Sequence, residues 1–593
     1  MAFILGLDGP RLADVYRRGS LDAMNAIIRE QTSLEFLLGL PETTNSRQLL
    51  DRVNDGDLTL PKLYAAFLLV RPHRVSLIVD GFAEAIFSRE FEVYVSSGLQ
   101  LFQSDEEREQ YIEHLVRLFD YLADRLATDR SVSFFGFAER FLRGFKAGTV
   151  YSCEGDLRRY AEAKARLIEQ FVARSHGSEV SSWQPPSRRR PGPLRVGTLW
   201  YDTDRRTENI VGVASCRGLV QHGFDVSAIV LNQRFSVAVE RSLEQDVRAI
   251  STRYVALFDG SLPATAQAIR DLDLDVLIIM NNITWGYSNH IALCSLRLAR
   301  LQAVNFCAVY TTGFRSIDTY LSGAMSERAQ QPDAAYSERL DVKPGSCLIF
   351  DAADYGAGAG VSPPEEILAL RRYGTVFVSG ANFYKLHPRL TRAWIEILSR
   401  VQDSVLILYP FNPNWDSTYA FSSLKRRLEG ELGAAGVDPG RVVVAGPWQD
   451  ASAIQGVLSI SDIYLDSFPH SGGLSSLDAL STGIPVVTKT GPNQREGQTS
   501  DLLEILGLAS LVAATEAEYV DLAISLSSDP DRWCSAVKTI KERLPDAAFF
   551  DWPAYSQAFA EQLSRLAQEI GTPDEGEESD ISSRHSAEVI ETT

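Results

Sequence analysis

Apolar residues recur at helical spacing from the N-terminus to about Phe171, and beyond residue 194 they gather into short β-rich runs separated by helical stretches. The clearest helical segment carries Tyr111, Ile112, Leu115, Val116, Leu118, Phe119, Leu122 and Leu126 on one broad face, with Ser104 and Glu107 ahead of it in capping-box register. No fixed-period repeat stands out, so a tandem-repeat array could exist there only in degenerate form. The spacing predicts an all-helical domain over residues 1–180. Residues 181–193, rich in Pro, Ser and Arg, read as a linker whose Arg188–Arg190 run is a solvated hinge.

The β-rich runs are LRVGTLW, DVSAIVL, DVLIIM and AVNFCAV, then TVFVS, SVLILY, RVVVA, DIYLD and IPVVT. Strands of this length alternating with helices predict doubly wound parallel sheets. A Pro- and Gly-rich break near 325–370 separates two sets, giving Rossmann-like lobes at 194–335 and 336–571, the second including the C-terminal helix. Ligands are expected at the carboxyl ends of the strands. Residues 572–593 are polar, acidic and aperiodic, and are expected to be disordered.

A chain of 593 residues exceeds a single core, and 45% hydrophobic with 23% charged residues is ordinary for a folded protein. Of the net charge of −19, about a third comes from the tail, where DEGEESD, Glu588 and Glu591 face only Arg584. An acidic surface repels phosphate backbones, which argues against a nucleic-acid partner and leaves room for a small nucleotide in a local pocket. The six cysteines have no CxxC spacing and read as buried thiols of a reducing compartment. The N-terminus lacks a basic signal-peptide flank and no apolar run reaches membrane-spanning length, so a soluble, cytoplasmic protein is expected.

The most informative stretch is DIYLDSFPHSGGLSSLDALSTGIPVVT, from Asp462 to Thr488. A strand gives way to a loop with Gly472 and Gly473, and Ser475 and Ser476 fall where the next helix begins. Backbone amides at that helix start, with two hydroxyls, suit a diphosphate, and Asp478 is placed to accept from ribose hydroxyls. Glycine and serine also serve turns and caps, so this loop alone leaves a purely structural reading open. Lys385 follows a strand and precedes a helix, where an ammonium can neutralise a departing nucleotide diphosphate. The acids of DLDLD, Asp271 to Asp275, precede an apolar strand and read as a surface turn, so no metal site is expected.

ANFYKLHP, LDSFPHSGGLSSLDALSTGIPVVT, GPNQREGQTSDLLEILGLASLVA and EYVDLAISLSSDPDRW resemble consecutive motifs of the O-GlcNAc transferase and SPINDLY family, glycosyltransferase family 41. LRVGTLWYDTDRR, DVLIIMNNITWGYSNHIALCSLRLARLQAVNF and VYTTGFRSIDTYLSG are similar to its N-lobe sequences in the same order, for a coverage of about 194–565. The helical front and Lys489–Gly491 resemble the family's bacterial adhesin N-glycosyltransferases. The resemblance implies an α/β GT-B fold and an inverting, metal-independent transfer of a sugar from a nucleotide diphosphate to a protein side chain, Ser/Thr or Asn. It implies Lys385 at the donor diphosphate, Ser475 and Ser476 in place of phosphate-binding threonines, Asp478 at the ribose and Trp448 at the base. Asn382, His470, Ser471, Gly472 and Gly473 complete the donor-binding set. The resemblance implies a UDP-sugar, or a GDP-sugar, as donor, and the helical domain is expected to bind the acceptor or a partner.

The chain departs from the family where Arg206 stands in place of an N-lobe histidine. Asp202, Asp204, Glu208, His290 and His470 remain as candidate bases, Asp202 standing where the family keeps an Asp. A non-catalytic nucleotide-sugar-binding scaffold, and transfer to a glycan or small molecule, stay open as alternatives.

Overall fold

The computed structural model describes residues 72–74, 95–96, 102–145, 147–187, 189–232, 242–258, 260–355, 363, 365–411, 421–445 and 451–571. Trp448, most of the first hundred residues and the tail 572–593 lie outside the described residues.

Among the described residues, three long helices form the front region: α1 (Asp105–Thr128), α2 (Val132–Gly144) and α3 (Arg158–His176). Ser104 caps α1, its Oγ accepting from Glu107 N at 3.1 Å, while the Glu107 carboxylate turns back to Gln103 N at 2.8 Å. Seven of the eight expected apolar residues of α1 are buried and Ile112 is partly so. They do not close a separate core. Phe119, Phe141, Tyr160 and Leu167 belong to one continuous apolar cluster with Leu199, Ile279, Ile291 and Val304 of the next lobe. The helical region is therefore fused to that lobe by packing.

The N-lobe is a seven-stranded parallel sheet of order β3-β2-β1-β4-β5-β6-β7. Its strands are β1 (Arg195–Trp200), β2 (Asp225–Val230), β3 (Arg253–Ala256), β4 (Val276–Ile279), β5 (Leu301–Asn305), β6 (Thr319–Gly323) and β7 (Arg339–Lys343). The C-lobe repeats the pattern in six parallel strands, β10-β9-β8-β11-β12-β13. These are β8 (Thr375–Ser379), β9 (Ser404–Leu408), β10 (Val442–Val444), β11 (Ile463–Leu465), β12 (Val486–Lys489) and β13 (Val512–Ala513). Each sheet reverses its strand order once, between β1 and β4 and between β8 and β11, which opens a crevice at the carboxyl ends of those pairs. This is the GT-B arrangement.

Three details correct the expectations. The run AVNFCAV leaves the sheet after Asn305, where Ala308 N bonds back to Asn305 O in a turn. The expected break contains β7, which pairs with β6 from Thr319↔Arg339 to Gly323↔Lys343, so the N-lobe sheet extends past the expected boundary at 335. As an edge strand with only Lys343 buried, RLDVK lacks the apolar run that marks the inner strands. Finally, the C-terminal helix (Trp552–Gly571) crosses to the N-lobe, where Phe559, Leu563 and Leu566 pack with Val196, Val226 and Val276, and Gln562 donates to Asp341.

The linker is pinned rather than free: Arg189 and Arg190 pair with Asp275 and Asp273 at 3.5 and 2.8 Å. Arg195 and Arg300 bind the same two acids, so DLDLD is an arginine anchor. Five cysteines are buried and Cys534 is exposed; all are free thiols. Among the described residues no helix is long and apolar enough to cross a membrane.

Candidate active site

Lys385 and the Gly-rich loop are brought together because they follow β8 and β11, the two strands flanking the C-lobe switch point. After β8 the chain makes one 3-10 turn, Phe383–Lys385, capped by Asn382, whose Oδ1 accepts from Tyr384 N at 3.1 Å. Helix α4 (Pro388–Arg400) then starts at a proline, which lacks the N–H a helix start leaves unused. The turn points the Lys385 ammonium across the crevice to the Ser471 carbonyl at 2.8 Å. His387, which the sequence did not single out, makes the parallel contact, Nε2 to Phe468 O at 2.7 Å. Burial pulls the Lys385 ammonium down to about 8 against the opposing charge of Asp466.

The loop after β11 is built around the buried Asp466, a second residue the sequence reading missed. Its carboxylate accepts from Gly472 N at 2.8 Å, Thr488 Oγ1 at 2.8 Å and Ser476 Oγ at 3.4 Å. A Cβ at position 472 would collide with Asp466, Ser475 and Ser476, and Gly473 takes a φ of 146°, so both glycines are required by geometry. Helix α5 (Leu474–Ser481) begins there, presenting its first amides beside Ser475 and Ser476. Ser476 is buried and bonded to Thr499, whereas Ser475 stays partly exposed. Asp478 is half-buried on the same helix, and burial pushes its carboxyl up to about 7. His470 is buried with Nδ1 unpartnered among the described residues, and its burial holds the imidazole neutral. Ser471 is held through its N and Oγ by the Arg495 carbonyl, at 3.0 and 3.3 Å.

In the N-lobe, Asp202 follows β1. It is 1% exposed and committed to its own loop: Oδ1 accepts from Asp204 N at 3.1 Å and Asn209 Nδ2 at 3.2 Å, and Oδ2 pairs with Arg206 at 3.1 Å. Arg206, at the expected histidine position, thus neutralises the carboxylate beside it. Glu208 is nearby with its carboxyl raised by burial, and His290 stacks on Tyr201 at 5.5 Å with Nε2 unpartnered among the described residues.

A family model described as Glycosyl transferase family 41 matches residues 366–559, the span holding Lys385, the β11 loop and Asp478. Over that span the chain is similar to glycosyltransferase family 41. The chain is similar to the probable UDP-N-acetylglucosamine–peptide N-acetylglucosaminyltransferase SPINDLY of Petunia hybrida, 26% identical over 49% of this chain and 30% of that protein. It is also similar to the UDP-N-acetylglucosamine–peptide N-acetylglucosaminyltransferase of Caenorhabditis elegans, 25% identical over 42% of this chain and 19% of that protein. The match thus spans less than a third of these relatives. Among solved structures, an O-GlcNAc transferase mutant of Thermobaculum terrenum aligns with a TM-score of 0.56 at 18% identity, covering 88% of this chain and 98% of that one. That likeness concerns the fold, and it extends beyond the family 41 segment into the N-lobe and the helical region.

Proposed function

We propose that the protein is an inverting, metal-independent glycosyltransferase that moves a sugar such as GlcNAc or glucose from a UDP- or GDP-linked donor to a Ser/Thr or Asn side chain of a protein. The observation that carries this reading is the Lys385 ammonium bonded to the Ser471 carbonyl, three residues ahead of α5, which puts a cation at the point where the Gly-rich loop enters the helix with its first amides and Ser475. Such a point suits a leaving diphosphate, whose negative charge grows as the glycosidic bond breaks. Asp478 serves the ribose and Trp448 the base. The N-lobe wall, with Asp202, Glu208 and His290, faces the acceptor, and the helical region selects it.

Acceptor-free release of UDP or GDP from a panel of nucleotide sugars, together with thermal shifts on donor binding, tests the proposal. One donor should raise the melting temperature and be slowly hydrolysed. Binding without hydrolysis or transfer would favour a nucleotide-sugar-binding scaffold.

A further inference from the structure

We propose that the strap Tyr151–Gly155 of the helical region is a working part of the donor site, holding the loop 466–473 in the register that presents Ser471 to Lys385, with Tyr151 and Arg495 as positioning residues. This rests on the donor-site reading above and adds to it a second role for the helical region, besides selecting an acceptor.

Seven contacts carry the inference. The Tyr151 ring lies flat on His470 of the donor loop, centroids 4.8 Å apart and planes 6° apart. It also meets the N-lobe: Trp285 lies edge-on at 5.5 Å, and Asn282 Nδ2 donates to its hydroxyl at 3.3 Å. One side chain of the helical region therefore bridges both lobes at the crevice. Three residues on, Glu154 pairs with Arg389 at 2.8 Å and Lys489 at 3.4 Å, both on the C-lobe. Gly155, at a left-handed φ of 71°, uses both main-chain groups on the C-lobe: its N–H donates to Glu496 at 2.9 Å and its carbonyl accepts from Arg495 Nη2 at 2.9 Å.

A continuous hydrogen-bonded path follows. The Gly155 carbonyl fixes the Arg495 guanidinium, the Arg495 carbonyl fixes Ser471, and the Ser471 carbonyl receives the Lys385 ammonium. From the other side, the turn Ala147–Ser152 packs on the residue preceding Lys385, so closely that a Cβ on Gly148 would collide with the Tyr384 ring. Both partners in the Lys385–Ser471 contact are thus backed by the helical region. A displacement of about 1 Å in such a contact is enough to cost two orders of magnitude in rate.

The test uses the full chain with Tyr151→Ala, Tyr151→Phe and Glu154→Gln, reading amide hydrogen exchange across 466–476 and acceptor-free donor hydrolysis. Tyr151→Ala should speed exchange in that segment and slow hydrolysis roughly tenfold or more. Tyr151→Phe keeps the stacked ring but loses the Asn282 contact and should fall between wild type and Tyr151→Ala in both readings, and Glu154→Gln should give a smaller effect than Tyr151→Ala in the same direction. Should Tyr151→Ala fail to fold, Glu154→Gln decides by the same two readings. Unchanged exchange across 466–476, or a defect confined to acceptor KM, would overturn the proposal. Faster exchange in a protein that hydrolyses no donor would support the strap and sink the glycosyltransferase reading instead.

Discussion

The Lys385 ammonium donates to the main-chain oxygen of Ser471 across 2.8 Å, tying the loop after β8 to the loop after β11. A carbonyl is a neutral acceptor, and the buried Asp466 carboxylate supplies the opposing charge nearby. An ammonium held this way favours an anion entering the crevice, which is why this contact is central to the proposed chemistry.

Asp478 should give a pH signature in donor affinity. Its carboxyl, raised to about 7 by burial, ionises only as pH passes that value, so the acceptor for ribose hydroxyls weakens at pH 6. Donor KM is expected to be higher at pH 6 than at pH 8, and Asp478→Ala should raise it at pH 8 with little change in kcat. A pH-independent donor KM would contradict the ribose assignment.

The same shift makes a stability statement. The folded-state value lies above the unfolded 3.8, so the contribution is fully present below pH 3.8 and is lost as pH rises toward 7. Asp478→Asn should therefore raise the melting temperature at pH 8 and leave it nearly unchanged at pH 4. Equal effects at both pH values would mean that the carboxyl titrates normally.

Asp466 is expected to be structural and functional at once. Asp466→Ala strips the acceptor from Gly472 N and Thr488 Oγ1, at about 1–3 kcal/mol for each group left buried and unpaired. Urea unfolding should show that loss, together with reduced donor binding. Wild-type stability would mean that the loop does not depend on this carboxylate.

The inner strands and the α1 face were legible in the sequence because their burial is regular: both faces of β8 and β9 are covered, and one face of α1 is. β7 was not, since an edge strand with one buried residue looks like its flanking loops. Within the site, Lys385 and the Gly-Ser loop stood out because their chemistry is local to a strand-turn-helix. Asp466 reads as an ordinary strand-end acid until its three donors are seen. Tyr151 and His470 lie 319 residues apart, and no periodicity connects them.

The helical region illustrates the same limit. Its spacing suggests a detachable domain, yet its apolar residues complete a cluster shared with the N-lobe. A chain beginning at residue 194 is expected to lose cooperative unfolding and to aggregate, because that shared face becomes exposed. A sharp unfolding transition in the truncated chain would show the N-lobe to be self-sufficient.

The C-terminal helix should behave as part of the N-lobe. Leu563 is fully buried against that lobe, and Leu563→Ala is expected to cost about 2–5 kcal/mol in urea unfolding. A change below about 1 kcal/mol would mean that the helix contributes little to that core.

The central claim is tested most directly by acceptor-free hydrolysis of the best donor, measured for wild type and Lys385→Ala from pH 6 to pH 10. The account predicts that wild-type kcat/KM falls above about pH 8, as Lys385 loses its proton, and that the variant turns over roughly a hundredfold more slowly or worse while melting normally. Near-wild-type turnover in a folded Lys385→Ala would contradict it and place the diphosphate elsewhere.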